Sequence, residues 1–154
     1  MAANASISMQ GSKGNRTLSA ENFFTGFYET ALGEDEIITE IRVPKSAAGT
    51  ISAYAKFVQP ASRFAIVGCA VVVSKSDGKC KAARVAFSGV SEAPFRDRDI
   101  EDALTGQAMD EASISSATAK VADGRSILSD HFASEEYRQH FAEVYAKRAL
   151  MAAS

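Results

Sequence analysis

Cysteine is scarce in this sequence, with only Cys69 and Cys80 among 154 residues. Two cysteines are too few for a disulfide framework, and their separation does not match the spacing of metal ligands. Cys69 lies in the apolar run at residues 64–73 and is predicted to be a small core residue. Cys80 follows a turn, a position that allows exposure. A structural disulfide is not expected in a reducing compartment.

The chain has no excess of charge of one sign, since 17 basic and 19 acidic residues give a formal net charge of −2. Without a broad basic surface, nucleic acid and anionic membranes are not expected partners. The longest apolar run, residues 64–73, is about half of what a bilayer span needs. No charged-then-apolar leader begins the chain. We therefore expect a cytoplasmic protein without a membrane span.

The remaining composition is that of one ordinary globular domain, with 46% hydrophobic and 23% charged residues. Residues 4–10 alternate weakly and predict a strand without a partner nearby, and residues 11–15 predict a turn. Ser19 is a candidate N-cap for a short helix that ends at Gly33. This helix is predicted to carry four aromatic residues, three of them at the spacing of a buried face: Phe23, Phe24, Phe27 and Tyr28.

Four segments of alternating or continuous apolar character predict strands at residues 36–43, 51–58, 64–74 and 80–90. Pro44 ends the first of them, because proline cannot donate to a β-ladder. Asp77-Gly78 lies between the last two strands, and this dipeptide is the strongest short-range signal of a β-hairpin. An antiparallel pairing of the two valine-rich strands is therefore predicted.

The last third of the chain predicts three helices at about residues 97–104, 110–122 and 134–151, with Asp110 and Ser134 as N-caps. The last helix has a stripe at helical spacing that is predicted to be core: Tyr137, Phe141, Val144, Tyr145 and Arg148. The charged cluster at residues 96–102 is interpreted as a solvated helix start. Strands followed by helices predict an α+β fold, with an antiparallel sheet of three to four strands and three helices packed on one face.

The usual catalytic patterns are absent: the sequence contains no Walker loop, no Gly-x-Gly-x-x-Gly and no Gly-x-Ser-x-Gly. His131 and His140 are nine residues apart, a spacing that does not place them as adjacent ligands on one helical face. The carboxylates are dispersed along the chain. No catalytic residue and no metal ligand is therefore predicted.

Lys56 has two interpretations from its residue type and position near the end of a strand. It is either an edge-strand lysine that discourages aggregation or a cation that meets an anionic or electron-rich ligand at the sheet end. The residue type alone favours the first interpretation. Arg63 ends the following polar loop, which either shapes a site or only connects two strands, and loop statistics favour a connector.

The order of segments along nearly the whole chain resembles the C-terminal part of the FAD-binding medium subunit of molybdenum hydroxylases, the xanthine dehydrogenase and aerobic carbon monoxide dehydrogenase type. Each segment is a weak signal by itself, and it is their order and spacing that carry the resemblance. The segments are residues 14–24, 26–30, 32–44, 54–57, 61–70, 87–90, 94–96, 129–131, 136–138 and 148–150.

This resemblance implies a part in a multi-subunit, FAD-dependent oxidoreductase that is not active as this chain alone. In the family, a large molybdopterin subunit oxidises the substrate, and [2Fe–2S] clusters in a small subunit pass electrons to FAD on the medium subunit. FAD then reduces an external acceptor. A complete medium subunit also has an N-terminal domain whose Gly-rich loops hold the FAD pyrophosphate. By this resemblance, residues 1–18 are the terminal strand of that missing FAD-binding domain and residues 19–154 are the C-terminal domain.

The resemblance also implies a partial FAD site at Ile37, Ile38 and Lys56. The two isoleucines correspond to positions where the family packs aliphatic side chains against the flavin. Lys56 corresponds to a lysine near the isoalloxazine ring, where a cation would stabilise the anionic reduced flavin. Several family members have an acidic residue at the position of Arg63, so no role is assigned to it. The alternatives are a stand-alone α+β adaptor or binding domain that has lost flavin binding, and a structural remnant that binds nothing and self-associates.

Overall fold

The chain forms nine strands and four helices in a computed structural model that describes every residue from Met1 to Ser154. The strands are β1 (Ser6–Gly11), β2 (Gly14–Ser19), β3 (Phe24–Gly26), β4 (Glu29–Thr30), β5 (Ile37–Arg42), β6 (Thr50–Val58), β7 (Ala65–Ser76), β8 (Lys79–Ser88) and β9 (Phe95–Arg96). The helices are α1 (Ala20–Phe23), α2 (Arg98–Leu104), α3 (Glu111–Thr118) and α4 (Glu135–Ala152). The predicted α+β fold is confirmed.

The main sheet has four antiparallel strands in the order β6-β7-β8-β9. The β7–β8 pair turns at Asp77-Gly78, which confirms the predicted hairpin. The predicted strand at 36–43 exists as β5, but it lies outside the main sheet and pairs with β1 in a separate sheet of order β2-β1-β5. Alternation identifies a strand without identifying its partner, which is fixed by contacts between distant segments. The fourth strand of the main sheet is instead the two-residue β9.

One face of the main sheet is covered by α2, α3 and α4, and together they form a core of 22 buried residues. The predicted core stripe of α4 is confirmed only in part, because Phe141 and Tyr145 pack against the edge of the core without being fully buried. Tyr137 and Arg148 are exposed, and Phe141, Val144 and Tyr145 are only half-buried. The fully buried face of α4 consists mainly of small residues: Ala142, Ala146, Ala149 and Leu150. Alanine lets the helix backbone approach the sheet closely, and the larger rings pack along the β6 side. None of the helices combines the length and the apolar character that a bilayer span requires.

The first 46 residues form a smaller unit with its own apolar cluster of Ile7, Met9, Ala20 and Phe23. β1 has two partners in this unit, β2 and β5, so the expectation of an unpaired first strand is wrong. The predicted aromatic helix ending at Gly33 is also wrong, because α1 is a single turn followed by the short β3–β4 pair. Tyr28 has a left-handed φ of 57° in the connecting turn, which ends any helical path there.

Both cysteines are buried and free. The core position of Cys69 is confirmed, whereas the exposure considered for Cys80 is wrong, since only 1% of it is accessible. Cys80 pairs with Lys75, six residues along β7 from Cys69, which separates the two thiols by roughly 20 Å. That separation excludes a disulfide. Burial raises the pKa of the Cys69 thiol to about 12 and also raises that of Cys80.

The interpretation of residues 96–102 as a solvated helix start is wrong for Asp97 and Glu101, which are each only 5% exposed, whereas Arg98, Asp99 and Asp102 are exposed. The Asp97 carboxylate caps α2 by accepting from the Ile100 N–H at 3.2 Å, and it also accepts from the Ala122 N–H at 2.8 Å. Glu101 accepts from the Val85 N–H of β8 at 2.9 Å. These buried carboxylates therefore tie α2 to the sheet and to the chain after α3.

Arg138 anchors the start of α4 to the ends of the β7 and β8 strands. Its buried guanidinium donates from Nη1 to the carbonyl oxygens of Ile66 and Gly89, each at 2.7 Å, and from Nη2 to Asp130 at 2.6 Å. Partial desolvation of the Asp130 carboxylate opposes its ionisation. The hydrogen bonds it accepts from two backbone N–H groups and from Arg138 outweigh that effect and lower its pKa.

Replacing the Arg138 guanidinium should destabilise the main sheet and the helices packed on it. Arg138→Met leaves the Ile66 and Gly89 carbonyl groups without their donor, and each orphaned buried group costs about 1–3 kcal/mol. The free energy of unfolding, measured by urea titration, should fall accordingly. Arg148→Met on the exposed side of the same helix is the matched control and should change little. Equal effects of the two substitutions would contradict the anchoring role.

Candidate functional site

The candidate site lies on the outer face of the main sheet, which is the face opposite the helices. Residues alternate between the two faces along β6, and Ala53, Ala55 and Phe57 pack on the core. Tyr54 and Lys56 are therefore on the outer face, and both are exposed. The outer face presents one aromatic ring and one cation side by side at the β6 edge.

Lys56 is oriented by the loop that follows its strand. Its Nζ donates to the carbonyl oxygen of Arg63 at 3.1 Å. An ammonium group has three donors, so two remain for a ligand or water. The loop itself is closed by backbone hydrogen bonds of 2.9 Å from Gln59 N to Phe64 O and from Arg63 N to Gln59 O. The predicted connector loop thus also holds the ammonium group in position.

Arg63 has a left-handed φ of 63°, a conformation that non-glycine residues rarely adopt. This backbone conformation is part of the tight turn from which the Arg63 carbonyl accepts from Lys56. The Arg63 side chain is exposed and makes no ion pair. Its contribution in this structure is therefore through the backbone.

Tyr54 is a candidate residue that the sequence reasoning passed over. Gly68 lies beside it, and a Cβ at that position would lie 2.7 Å from the Tyr54 Oη and 2.8 Å from the Ser88 Oγ, so that both side-chain ends would have to shift. The tyrosine hydroxyl therefore lies over Gly68, and 56% of the residue remains exposed. Its place in the β6 alternation, two residues before Lys56, was a sufficient signal to include it.

Ile37 and Ile38 lie on β5, the edge strand of the three-stranded sheet β2-β1-β5, and are 66% and 43% exposed. No hydrogen bond, ion pair or buried apolar cluster joins either of them to Lys56. The predicted site residues are thus divided between the two units of the chain. Groups of three or more side chains suited to hold a metal ion do not occur.

The start of β5 is held by Glu36, the residue before Ile37. Its carboxylate accepts from Arg16 Nε and Nη2, each at 2.6 Å, and from the Gly33 N–H at 2.6 Å. The hydrogen bonds from Arg16, followed by the one from Gly33, lower the pKa of Glu36 to about 2. An ionised Glu36 therefore ties β5 to β2 and to the turn before it.

Comparison with solved structures defines the class of domain to which this fold belongs. The chain superimposes on the carbon monoxide dehydrogenase from Hydrogenophaga pseudoflava with a TM-score of 0.93 and 36% identity, over 99% of this chain and 53% of that chain. It superimposes on quinoline 2-oxidoreductase from Pseudomonas putida 86 with a TM-score of 0.89 and 26% identity, with the same coverage. The fold is that of a domain of these oxidoreductases.

Family models cover most of the sequence. Residues 52–153 match the CO dehydrogenase flavoprotein C-terminal domain, and residues 1–46 match the FAD binding domain in molybdopterin dehydrogenase. The chain belongs to the CO dehydrogenase flavoprotein C-terminal domain family, which confirms the resemblance found in the sequence.

Curated relatives agree with this assignment. The carbon monoxide dehydrogenase medium chain of Hydrogenophaga pseudoflava is 33% identical, and the nicotine 6-hydroxylase medium subunit of Paenarthrobacter nicotinovorans is 30% identical, each over 99% of this chain. The chain spans about half the length of these relatives, 53% in both cases. The boundary predicted after residue 18 stays a prediction.

Because of the Glu36 contacts, we expect the stability of β5, and hence the protection of its backbone amides from hydrogen exchange, to depend on pH. Because the folded pKa of about 2 lies below the ordinary value of 4.5, ionised Glu36 stabilises the strand above pH 4.5, and this contribution is lost as the pH falls toward 2. Glu36→Gln should reduce hydrogen-exchange protection of the β5 amides at neutral pH, and the difference from the parent chain should shrink below pH 4.5. Glu34→Gln, which removes a carboxylate without such partners, is the control. A difference that stays constant with pH would contradict this role.

Proposed function

We propose that this chain forms the C-terminal part of the flavoprotein subunit of a molybdenum hydroxylase. In this role it helps to hold FAD and supports electron transfer from iron–sulfur clusters to an external acceptor. The observation that carries the proposal is the exposed pair of Tyr54 and Lys56 on the sheet face that the helices leave uncovered. Membership of the flavoprotein family makes FAD the ligand that we expect at that face.

The residues present fit one side of a flavin. Tyr54 offers an open aromatic ring, and Gly68 provides the space in which that ring lies against the sheet. Aromatic rings stack favourably in offset arrangements, and an isoalloxazine ring is a planar aromatic partner. Ile37 and Ile38 add exposed aliphatic surface on the smaller unit. When bound, FAD supplies the redox chemistry of the subunit.

Lys56 would act through its charge. Its partner in the structure is a neutral carbonyl group, so the ammonium remains uncompensated by any carboxylate. A positive charge beside the ring stabilises negative charge that develops on it, because the attraction scales inversely with distance and effective dielectric constant. We therefore assign Lys56 to raising the reduction potential of the flavin.

The main grip on FAD would come from polypeptide that corresponds to the other half of the relatives' length. A pyrophosphate needs several converging backbone N–H donors, and this chain has no Gly-rich phosphate loop to supply them. The proposed assembly therefore comprises an N-terminal FAD-binding domain, a small [2Fe–2S] subunit and a large molybdopterin subunit. Together they constitute an FAD-dependent oxidoreductase in which this chain is inactive alone.

The second candidate function is a stand-alone α+β binding or adaptor domain that has lost flavin binding. The division of Ile37, Ile38 and Lys56 between two units without direct contact is the observation that keeps it in consideration. The two candidates differ in what happens when an FAD-binding half is supplied.

FAD retention should require that other half. The chain is purified alone and after co-expression with the N-terminal half of the Hydrogenophaga pseudoflava medium chain, and both samples are gel-filtered and examined by visible spectroscopy. We expect a flavin spectrum from the co-expressed pair and none from the chain alone. Tight one-to-one FAD binding by the chain alone contradicts the proposed division of the site. The absence of flavin from a stable pair favours the adaptor function.

Lys56→Met should lower the flavin reduction potential in that pair. Loss of a nearby positive charge should shift the potential by tens of millivolts, since about 30 mV corresponds to 1.4 kcal/mol for a two-electron couple. The potential is measured by equilibration with redox dyes, and FAD content is determined in the same sample. Lys81→Met, at an exposed position on β8, is the control for loss of one positive charge. An unchanged potential in Lys56→Met would remove the proposed role.

A further inference from the structure

The two units of the chain are joined by very few polar contacts. Residues 1–46 contain one apolar cluster and two small sheets, and residues 50–154 contain the main sheet, the three longer helices and the other apolar cluster. Glu21 is the only residue of the first unit that makes a hydrogen bond or ion pair with the second. The arrangement of the two units therefore depends strongly on one carboxylate.

The partners of Glu21 are firmly held in the second unit. Arg96, with 9% of its side chain exposed, donates to both carboxylate oxygens of Glu101, from Nε at 2.8 Å and from Nη2 at 2.5 Å. Glu101 in turn accepts from the Val85 N–H. The remaining Nη1 of Arg96 donates to Glu21 Oε1, and Arg98 Nη2 donates to Glu21 Oε2 at 2.7 Å. Both oxygens of Glu21 are thus engaged by different arginines.

Arg96, the nearly buried partner of Glu21, is in register with Tyr54 of the candidate site across the main sheet. The strand register aligns Tyr54 with Ala70, Ala70 with Ala86, and Ala86 with Arg96. Opposed residues of an antiparallel sheet share a face, and three strand spacings of about 4.8 Å separate the ends of this row by roughly 14 Å. Arg96 therefore has a register position on the outer face, at the edge opposite Tyr54.

Little else fixes the angle between the units at this point. A polar, open cleft of about 470 Å³ lies between them. It is lined on one side by Phe24, Thr25 and Gly26 and on the other by residues that include Pro94, Arg98 and Arg125. An open, polar cleft supplies no close apolar packing, so the contacts of Glu21 with the two arginines carry the orientation.

We propose that Glu21 is a positioning residue that fixes the smaller unit at a single angle to the main sheet, at its β9 edge. This contact sets how Ile37 and Ile38 are placed relative to Tyr54 and Lys56. The consequence for a flavin rests on the proposed function, whereas the orientation itself does not. A ligand site divided between two units keeps its geometry only while their relative orientation is fixed.

The orientation is tested without flavin on the full chain. Spin labels are attached to cysteines introduced by Lys13→Cys in the first unit and Lys120→Cys in the second, both at exposed positions. The native thiols are buried, which makes the labelling selective. Electron-spin measurements should give a single narrow distribution of label-to-label distances in the parent chain. In Glu21→Ala this distribution should become broad or shift. The control Glu111→Ala, which breaks an ion pair with Lys147 inside the second unit, should keep the parent distribution. A narrow, unshifted distribution in Glu21→Ala overturns the proposal.

A second measurement separates this proposal from the proposed function. In the co-expressed pair, Glu21→Ala should lose bound FAD during gel filtration, whereas Glu111→Ala should retain it. Retention of FAD by Glu21→Ala at the parent potential overturns the link between orientation and the flavin site. If the parent pair itself binds no FAD, the proposed function fails, and the spin-label distances still decide the role of Glu21. Circular dichroism of each variant verifies that its secondary structure is intact.

Discussion

The packing of three helices on one face of the main sheet decides which side chains of this chain can meet a ligand. Because Ala142, Ala146 and Ala149 bring α4 close to the sheet, the inner face is sealed by direct apolar contact. Ala53, Ala55 and Phe57 of β6 are committed to that core. The residues between them, Tyr54 and Lys56, are consequently available on the other side. The candidate site is thus a direct result of strand alternation combined with one-sided helix packing.

The sequence was a good guide wherever a local rule was sufficient. The Asp77-Gly78 turn, the N-caps at Asp110 and Ser134 and the exposed side of Lys56 all follow from interactions within a few residues. Pairing between distant segments was beyond such rules, as the partner of β5 illustrates. The core of α4 was misjudged for a related reason. Aromatic residues at helical spacing resemble a core stripe, but the close approach to the sheet favours alanine at the fully buried positions.

The charged residues at the start of α2 illustrate most clearly what the sequence alone does not reveal. A run of alternating acids and bases resembles a solvated segment in sequence, yet Glu101 and Arg96 form a buried pair that also satisfies a backbone N–H of β8. Only the three-dimensional arrangement reveals that Arg96 has one more donor to offer, and that Glu21 receives it. Likewise, alternation along β6 was enough to place Tyr54 beside Lys56. The close approach of its hydroxyl to Gly68 is evident only from the structure.

The hydrogen bond between Lys56 and the Arg63 carbonyl has an electrostatic meaning for the molecule as a whole. The protein carries a formal net charge of −2, so its average field repels anions. A lysine tethered by a carboxylate would be oriented and neutralised together, whereas a carbonyl group orients it and leaves its full charge. The end of β6 therefore keeps a local positive potential on an otherwise acidic protein. An electron-rich ring system approaching this molecule would encounter attraction at that end of the strand.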